Sequence, residues 1–564
     1  MKIDIKFFVL FLFIIVLLFS FTASHGKKGV ISSKGMVVSA KEEASQIGVA
    51  ILKKGGNAFD AMVATELALA VAYPCAGNIG GGGFMVYRKA TGEVGALDYR
   101  EKAPIKATRD MYLDSTGNVI PNKSLLGGLA VGVPGTIAGI FEVHKKFGTL
   151  PMSELIQPAI SLARNGLRIS KHEAGRLAAY RKLFQYVNNG DILFSKNWEY
   201  KQYIQQEKLA TTLERIQKNG RDEFYKGETA RKIVDFIQLN GGIISMEDLA
   251  NYEAKWRKPI QFSYDNLKIT TMSPPSSGGI CLGQILKMLE PYDLKSLGHN
   301  TPAMIQLVVE AERRSYADRS HYLGDPDFIK IPTDALMSST YLKERMQNFS
   351  FDKATLSSEV SHGKVEVIES NETTHYSIVD SYGNAVSVTT TLNGSYGSKL
   401  YSNELGFFFN NEMDDFSVKA GVPNMYGLVG SDNNAILPQK RMLSSMTPTI
   451  IEKEGKLWMV LGTPGGSTII TSVLQTILNI HEFGMGAQDA VSQPRFHHQW
   501  LPDKVTMEPN RFSQKTIRHL RQKGYVIDEK NTPIISKVEV ILVQEDGKLE
   551  GGADPRGDDA AVGY

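Results

Sequence analysis

A threonine pair deep inside the chain, Thr373-Thr374, stands directly before a period-two hydrophobic pattern over residues 376–379. The pattern turns at Tyr382-Gly383-Asn384 and resumes over residues 385–391. Two alternating runs joined by a glycine turn predict a β-hairpin with one buried face. Upstream, residues 350–372 are polar and aperiodic, with Ser357, Ser358, Ser361, His362, Gly363 and Lys364 offering no core pattern, so they read as a loop. Threonine is a weak nucleophile at neutral pH. One route to activate it makes it the first residue of a chain, with its own α-amine (reference pKa roughly 7.7–8.0) as the base. An internal threonine reaches that state only if the bond before it is cut. Threonine also favours strands, so the pair alone reads first as ordinary strand residues.

The hairpin sits within alternating helical and strand-rich text. Ser39-Ala40-Lys41-Glu42 reads as a capping box opening a helix, and Asn57 caps a second helix that runs to Ala72. Residues 86–88 and 96–100 are strand signals around Thr91-Gly92. Residues 111–252 are mostly helical, with a break at Gly241-Gly242. Strand signals return at 260–271, followed by a helix over 281–289. Thr301-Pro302 caps another helix that continues to Tyr322. Residues 457–461 and 538–543 predict strands, and 468–483 a helix. Strand runs bracketed by helices predict an α+β chain whose sheets are covered by helices.

The 564 residues carry a net charge of +3, with 42% hydrophobic and 22% charged residues, enough for a large core and without the basic excess of a nucleic-acid binder. Lys2 and Lys6 precede an apolar run from Phe7 to Phe21, then Thr22-Ala23-Ser24-His25-Gly26. This order predicts a secretory signal over residues 1–25, because the run falls short of the ~20 residues a membrane span needs. Cys75 and Cys281 are the only cysteines. Two cysteines in an exported chain of this size do not build a disulfide framework, and both read as small buried residues.

Several polar residues suit specific chemistry. Arg100 offers a planar fork for a carboxylate, although its type alone fits a surface arginine. Ser444-Ser445 are hydroxyl donors or simply a loop. Asp414-Asp415 suit a cationic group, a helix cap or solvent. Gly465-Gly466 offer two unhindered N–H groups before a helix, suited to an oxyanion. Gly80 to Gly83 lack the ending and spacing of a nucleotide loop and read as close backbone packing. His497-His498 lack a third ligand nearby, so no metal is expected.

From Thr373 the sequence reads TTHYSIVDSYGNAVSVTTTLNGSYGS. With GGNAFDA at Gly55, AGNIGGGGFM at Ala76, DYREKAP at Asp98, PPSSGG at Pro274, ADRSHYLGDPDF at Ala317, NNEMDDF at Asn410, LSSMTPT at Leu443, TPGGS at Thr463 and PRFHHQWLPD at Pro494, it resembles the γ-glutamyltranspeptidases. The likeness covers essentially the whole chain after the signal. It implies a four-layer αββα Ntn-hydrolase sandwich, formed jointly by two subunits of one autoprocessed precursor. The large subunit would span 26–372 and the small one 373–564, with cleavage between Glu372 and Thr373.

By the same resemblance Thr373 is the nucleophile, Thr391 its hydrogen-bonding partner, and Gly465 and Gly466 the oxyanion hole. Arg100, Ser444 and Ser445 would hold a donor's α-carboxylate. Asn393, Glu412 and Asp415 would hold its amine, Glu412 standing where other members carry glutamine. Tyr426 would close over the pocket from a lid at 419–438. The implied activity is transfer or hydrolysis of γ-glutamyl groups, with glutathione as donor and an amino acid, dipeptide or water as acceptor. The resemblance implies no cofactor, a heterodimer of the two subunits, and a periplasmic or secreted protein. The rivals are an amidohydrolase of the same fold acting on glutaryl or cephalosporin side chains, and an unprocessed binding protein.

Overall fold

The computed structural model describes residues 28–361, 373–530 and 534–564. The predicted signal and Glu372 lie outside the described residues. Two seven-stranded sheets dominate. One has the strand order Ala560–Gly563, Met36–Ser39, Thr374–Val379, Ala385–Thr391, Gly82–Arg88, Val94–Asp98 and Lys255–Arg257. The other has the order Val30–Ser32, Leu549–Ala553, Glu539–Val543, Lys456–Gly462, Thr449–Lys453, Leu267–Thr271 and Ile260–Tyr264. The neighbouring strands pair antiparallel throughout.

The sheets pack face to face over an apolar layer that includes Val38, Phe84, Val86, Ile450, Val460 and Ile541. Helices cover both outer faces. Helix Ala58–Ala72 and the helices after Thr136 pack on the hairpin sheet, while Gly278–Leu289, Pro302–Tyr322 and Ile469–His481 pack on the other. The result is a four-layer αββα sandwich, as the family resemblance implies.

The helix signals act as expected where the cap is local. Asn57 accepts from the backbone N–H groups of Phe59 and Asp60, and Asp60 reaches back to the Asn57 N–H. Thr301 caps Pro302–Tyr322 with Pro302 in the first turn. The predicted box at Ser39 is different. Ser39 ends the strand Met36–Ser39, which pairs on both sides, and its Oγ donates to the Lys41 carbonyl. Helix Glu42–Lys53 therefore begins without a side-chain cap. Partners far along the chain claim the serine before the helix can. Similarly, Gly82 and Gly83 extend the strand to Gly82–Arg88, and Arg100 falls just beyond Val94–Asp98.

Strand alternation fixes where the threonines point. Tyr376 and Ile378 face the helices, with the Tyr376 hydroxyl donating to Glu66 at 2.6 Å. Residues of the other parity face the second sheet. There, His375 bonds to Thr389 and Ser377, and Ser377 donates to the Glu539 carbonyl. Burial holds the His375 imidazole down to about 3, so it is neutral. The inter-sheet layer is thus apolar along most of its length and polar at the end where Thr373 stands.

Candidate active site

Thr373 immediately precedes the strand Thr374–Val379 at the centre of its sheet and is buried. Its Oγ1 lies 3.4 Å from Thr391 Oγ1, at the end of the neighbouring strand. Thr391 Oγ1 also accepts from the Asn393 backbone N–H at 2.8 Å. Behind this pair stands Asn78, whose amide donates to the Thr391 carbonyl and Thr390 Oγ1 and whose Oδ1 accepts from Gly81 N–H and Thr136. A Cβ on Gly81 would sit 2.1 Å from the Thr391 carbonyl. The glycine run thus lets one backbone approach another, as its lack of nucleotide-loop spacing suggests.

Thr373 opens onto a cleft that also receives Arg100, Thr391, Asn393 and Asp415. Tyr426, Ser444, Ser445 and Gly466 complete the set of expected residues around it. The cleft's volume is about 20 Å³, room for about one water-sized group. Two expected residues lie outside this lining. Glu412 is fully buried behind Arg100, its Oε2 at 2.6 Å from the guanidinium. Gly465 instead lines a neighbouring cavity of about 170 Å³. The two glycines have different backbone conformations, φ +136° at Gly465 and +54° at Gly466, and only Gly466 faces the threonine cleft.

The charges here are unusually dense. Arg100 pairs with Glu412 and, at 2.5 Å, with Asp415, while Glu101 approaches to 3.8 Å. Burial would lower the guanidinium's pKa, but the surrounding carboxylates outweigh that and hold it above its ordinary value. Burial raises Glu412 well above the usual carboxylate range, against Arg100 and helped by Glu101 and Asp415. Asp415 is raised for the same leading reason. Among the described residues, neither oxygen of Glu101 nor Glu412 Oε1 has a hydrogen-bond partner, and Glu412 Oε2 has only its ion pair with Arg100.

The segment expected to act as a lid covers this cluster. Tyr426 OH donates to the Asn393 carbonyl at 2.6 Å, and Gln499 holds the Tyr426 carbonyl. Asn424 donates to Asp415 at 2.9 Å. The Met425 N–H and Ser124 hydroxyl both donate to Asp414. Asp414 therefore anchors the lid, a role its sequence context does not reveal.

Ser445 accepts from Arg319, a residue on the helix Pro302–Tyr322. Asn78, Arg319 and Asn411, which accepts from Asn393 and Gly394, are contributors that sequence reasoning missed. Only their position inside matched strings, AGNIGGGGFM, ADRSHYLGDPDF and NNEMDDF, pointed to them. His497 and His498 are buried structural groups. His497 bonds to Thr471 and Gln499, and His498 to Asp503. Among the described residues no cluster of histidine, cysteine and carboxylate side chains could hold a metal ion.

A family model described as Gamma-glutamyltranspeptidase matches residues 44–564. The chain is 48% identical to a glutathione hydrolase proenzyme of Escherichia coli, over 94% of this chain and 92% of that one. Among solved structures, the γ-glutamyltranspeptidase of Helicobacter pylori is 45% identical with a TM-score of 0.57, covering 59% of this chain and 96% of that one. The cephalosporin acylase of Bacillus halodurans superposes with a TM-score of 0.83 at 24% identity, covering 95% and 97%, and shows the shared fold.

Proposed function

The chain belongs to the γ-glutamyltranspeptidase family, and from that premise we propose that it is an exported γ-glutamyltransferase and glutathione hydrolase made as a self-cleaving precursor. The observation that carries this reading is the single cleft in which the Thr373 hydroxyl meets Thr391, Arg100, Asp415 and the two serines.

Processing begins with attack of Thr373 Oγ on the Glu372 carbonyl. The amide C–N bond breaks, the peptide nitrogen takes the proton, and an ester links Glu372 to Thr373. Water hydrolyses that ester, releasing the Glu372 carboxylate and leaving Thr373 with a free hydroxyl and a free α-amine. The products are a large subunit of residues 26–372 and a small one of 373–564, residues 1–25 being removed on export to the periplasm or medium. The strand order supports a lasting heterodimer. Both sheets combine strands from before Thr373 with strands from after it, hydrogen-bonded to one another, so a cut there severs one bond and leaves the ladders intact.

In the mature enzyme the α-amine of Thr373 takes the hydroxyl proton as Oγ attacks the γ-carbonyl of a donor. Arg100, Ser444 and Ser445 hold the donor's α-carboxylate. Asn393, Asp415 and Glu412 hold its ammonium. Gly466, with Gly465 beside it, faces the developing oxyanion, a contact whose loss typically costs about 10²–10³ in rate. The leaving amine takes the proton, and a γ-glutamyl ester remains on Thr373. Water then yields glutamate, or an amino acid or dipeptide amine yields the transfer product. The small closed cleft requires Tyr426 to swing away before a donor enters. No step calls for a cofactor.

An acylase-type reading, with a glutaryl or cephalosporin side chain as substrate, brings no second cation to the three carboxylates that share the single Arg100 guanidinium. It is the weaker reading for that reason. Incubating the purified protein with glutathione tests the proposal: glutamate and cysteinylglycine should appear in equal amounts, and a γ-glutamyl dipeptide should form when an amino acid is added. Turnover of a glutaryl amide without turnover of glutathione would favour the acylase reading.

A further inference from the structure

The helix Pro302–Tyr322 carries three buried arginines, and they are treated differently. Arg314 pairs with Glu310 at 2.5 Å, and Arg313 pairs with Asp503. Arg319, only 4% exposed, makes no ion pair among the described residues. Its Nε donates to Ser277 Oγ at 2.9 Å and its Nη2 to Ser445 Oγ at 3.1 Å. Ser277 Oγ in turn donates to the Ser444 carbonyl at 2.7 Å. One guanidinium therefore reaches both serines of the cleft, one directly and one through Ser277.

Two consequences follow from elementary hydrogen-bond chemistry. A guanidinium only donates, and a hydroxyl has a single proton to give. Ser277 shows the outcome, since it accepts from Arg319 and spends its proton on a carbonyl. Ser445 accepts from the same group, but its oxygen lines the cleft, so its proton is directed towards whatever enters. The second consequence concerns charge. Arg100 is already neutralised by Glu412 and Asp415. Arg319 makes no direct ion pair of this kind, although the Asp415 carboxylate acts on its charge, and a buried cation is costly unless an anion completes it. Arg319 thus adds a second buried guanidinium behind the serine side of the cleft.

We propose that Arg319 is a positioning residue for the donor's α-carboxylate, holding the Ser445 hydroxyl as a donor into the cleft with a second buried guanidinium behind it. The inference rests on the γ-glutamyl reading above and adds to it a residue on the large-subunit side that never reaches the reacting bond. Ser445 is then more than a loop hydroxyl, because Arg319 holds it from behind, while Ser444 is tied to the same arginine through Ser277 and its backbone carbonyl.

The test compares two anilides, one of γ-glutamate and one of 4-aminobutyrate, which lacks only the α-carboxylate. Arg319→Met should raise KM for the γ-glutamyl anilide about tenfold or more, the expected scale for one lost hydrogen bond to a charged group. Its kcat should change little, and kcat/KM for the 4-aminobutyryl anilide should stay as in the parent. Arg319→Lys should restore part of the KM and leave the other donor untouched. If Arg319→Met does not accumulate as processed protein, the lysine variant carries the test, with a smaller KM rise confined to the γ-glutamyl donor. Equal losses on both donors, or no loss on either, in processed protein with an unchanged melting temperature, would overturn the inference alone. A parent enzyme inert towards the γ-glutamyl anilide would overturn the underlying reading as well.

Discussion

Two buried charge clusters in this molecule are built on opposite plans. Near the C-terminus, Arg495 pairs with Asp554 at 2.6 Å, and Arg556 pairs with both Asp554 and Glu508. Two guanidiniums meet two carboxylates, and backbone groups take up the rest. The Val538 N–H donates to Asp554, and Arg495 donates to the carbonyls of Ile535 and Val491. Among the described residues, no fully buried side-chain oxygen or nitrogen of Arg495, Arg556, Asp554 or Glu508 lacks a hydrogen bond. Around Arg100, three carboxylates crowd one guanidinium, and among the described residues the oxygens of Glu101 and Glu412 find no hydrogen-bond donor beyond the Arg100 ion pairs. Burial would raise Asp554, but its two arginines pull it below its ordinary value, whereas burial prevails at Glu412 and Asp415 and both are raised. The closed cluster holds loops together. The open one keeps surplus acceptors that a cationic group can complete, which is what a site for an amino-acid donor requires.

The contrast is broken most forcefully at Asp554. Asp554→Asn leaves two buried guanidiniums with one carboxylate and should destabilise the protein by about 3–5 kcal/mol. Urea unfolding reads the loss, and kcat of the protein that remains folded should be unchanged. A change below about 1 kcal/mol would put this cluster in the same class as the other. On the site side, Gly466 has φ +54°, and an added Cβ would fall 2.3 Å from the Tyr426 ring. Gly466→Ala should push the lid off and displace the oxyanion donor, lowering kcat/KM about 10²-fold in steady-state assays. Full activity would show that neither lid nor glycine is needed.

The smallest effect sharpens the comparison most. Glu412 has a raised folded-state pKa, so its favourable contribution is present below its unfolded value, about 4.5, and is lost as pH rises through the folded one. Glu412→Gln should therefore match the parent's stability at pH 4 and exceed it by about 1 kcal/mol at pH 8. Its KM for a γ-glutamyl donor should rise a few-fold at pH values above the one where Glu412 ionises, as the ammonium there loses one charge. Thermal melting at the two pH values, paired with kinetics, checks both signs.

What the sequence makes legible follows the range of the interaction. The hairpin, the Asn57 box and the Thr301-Pro302 start depend on neighbours a few residues away, and periodicity reveals them. Ser39 was misassigned because its partners lie at Tyr376 and Ala560. The pairing of the first strands with the last is set by the fold and leaves no local pattern. The site divides in the same way. Residues inside family strings could be named individually, yet their grouping could not. Asn78 acts on Thr391 from 313 positions away, and Arg319 on Ser445 from 126. An ordinary asparagine and a helical arginine acquire their roles only when distant strands and helices meet. The separation of Gly465 from Gly466, adjacent in sequence but facing different cavities, was equally invisible.

The central claim is that Thr373 is masked in the precursor and becomes the nucleophile through its own attack on Glu372. Intact-mass spectrometry of the purified protein beside its Thr373→Ala variant tests it most directly. The account predicts two chains for the parent, the smaller beginning at Thr373, and one uncut chain for the variant, which releases no glutamate from glutathione. A variant still cut before position 373, or uncut and fully active, would contradict it.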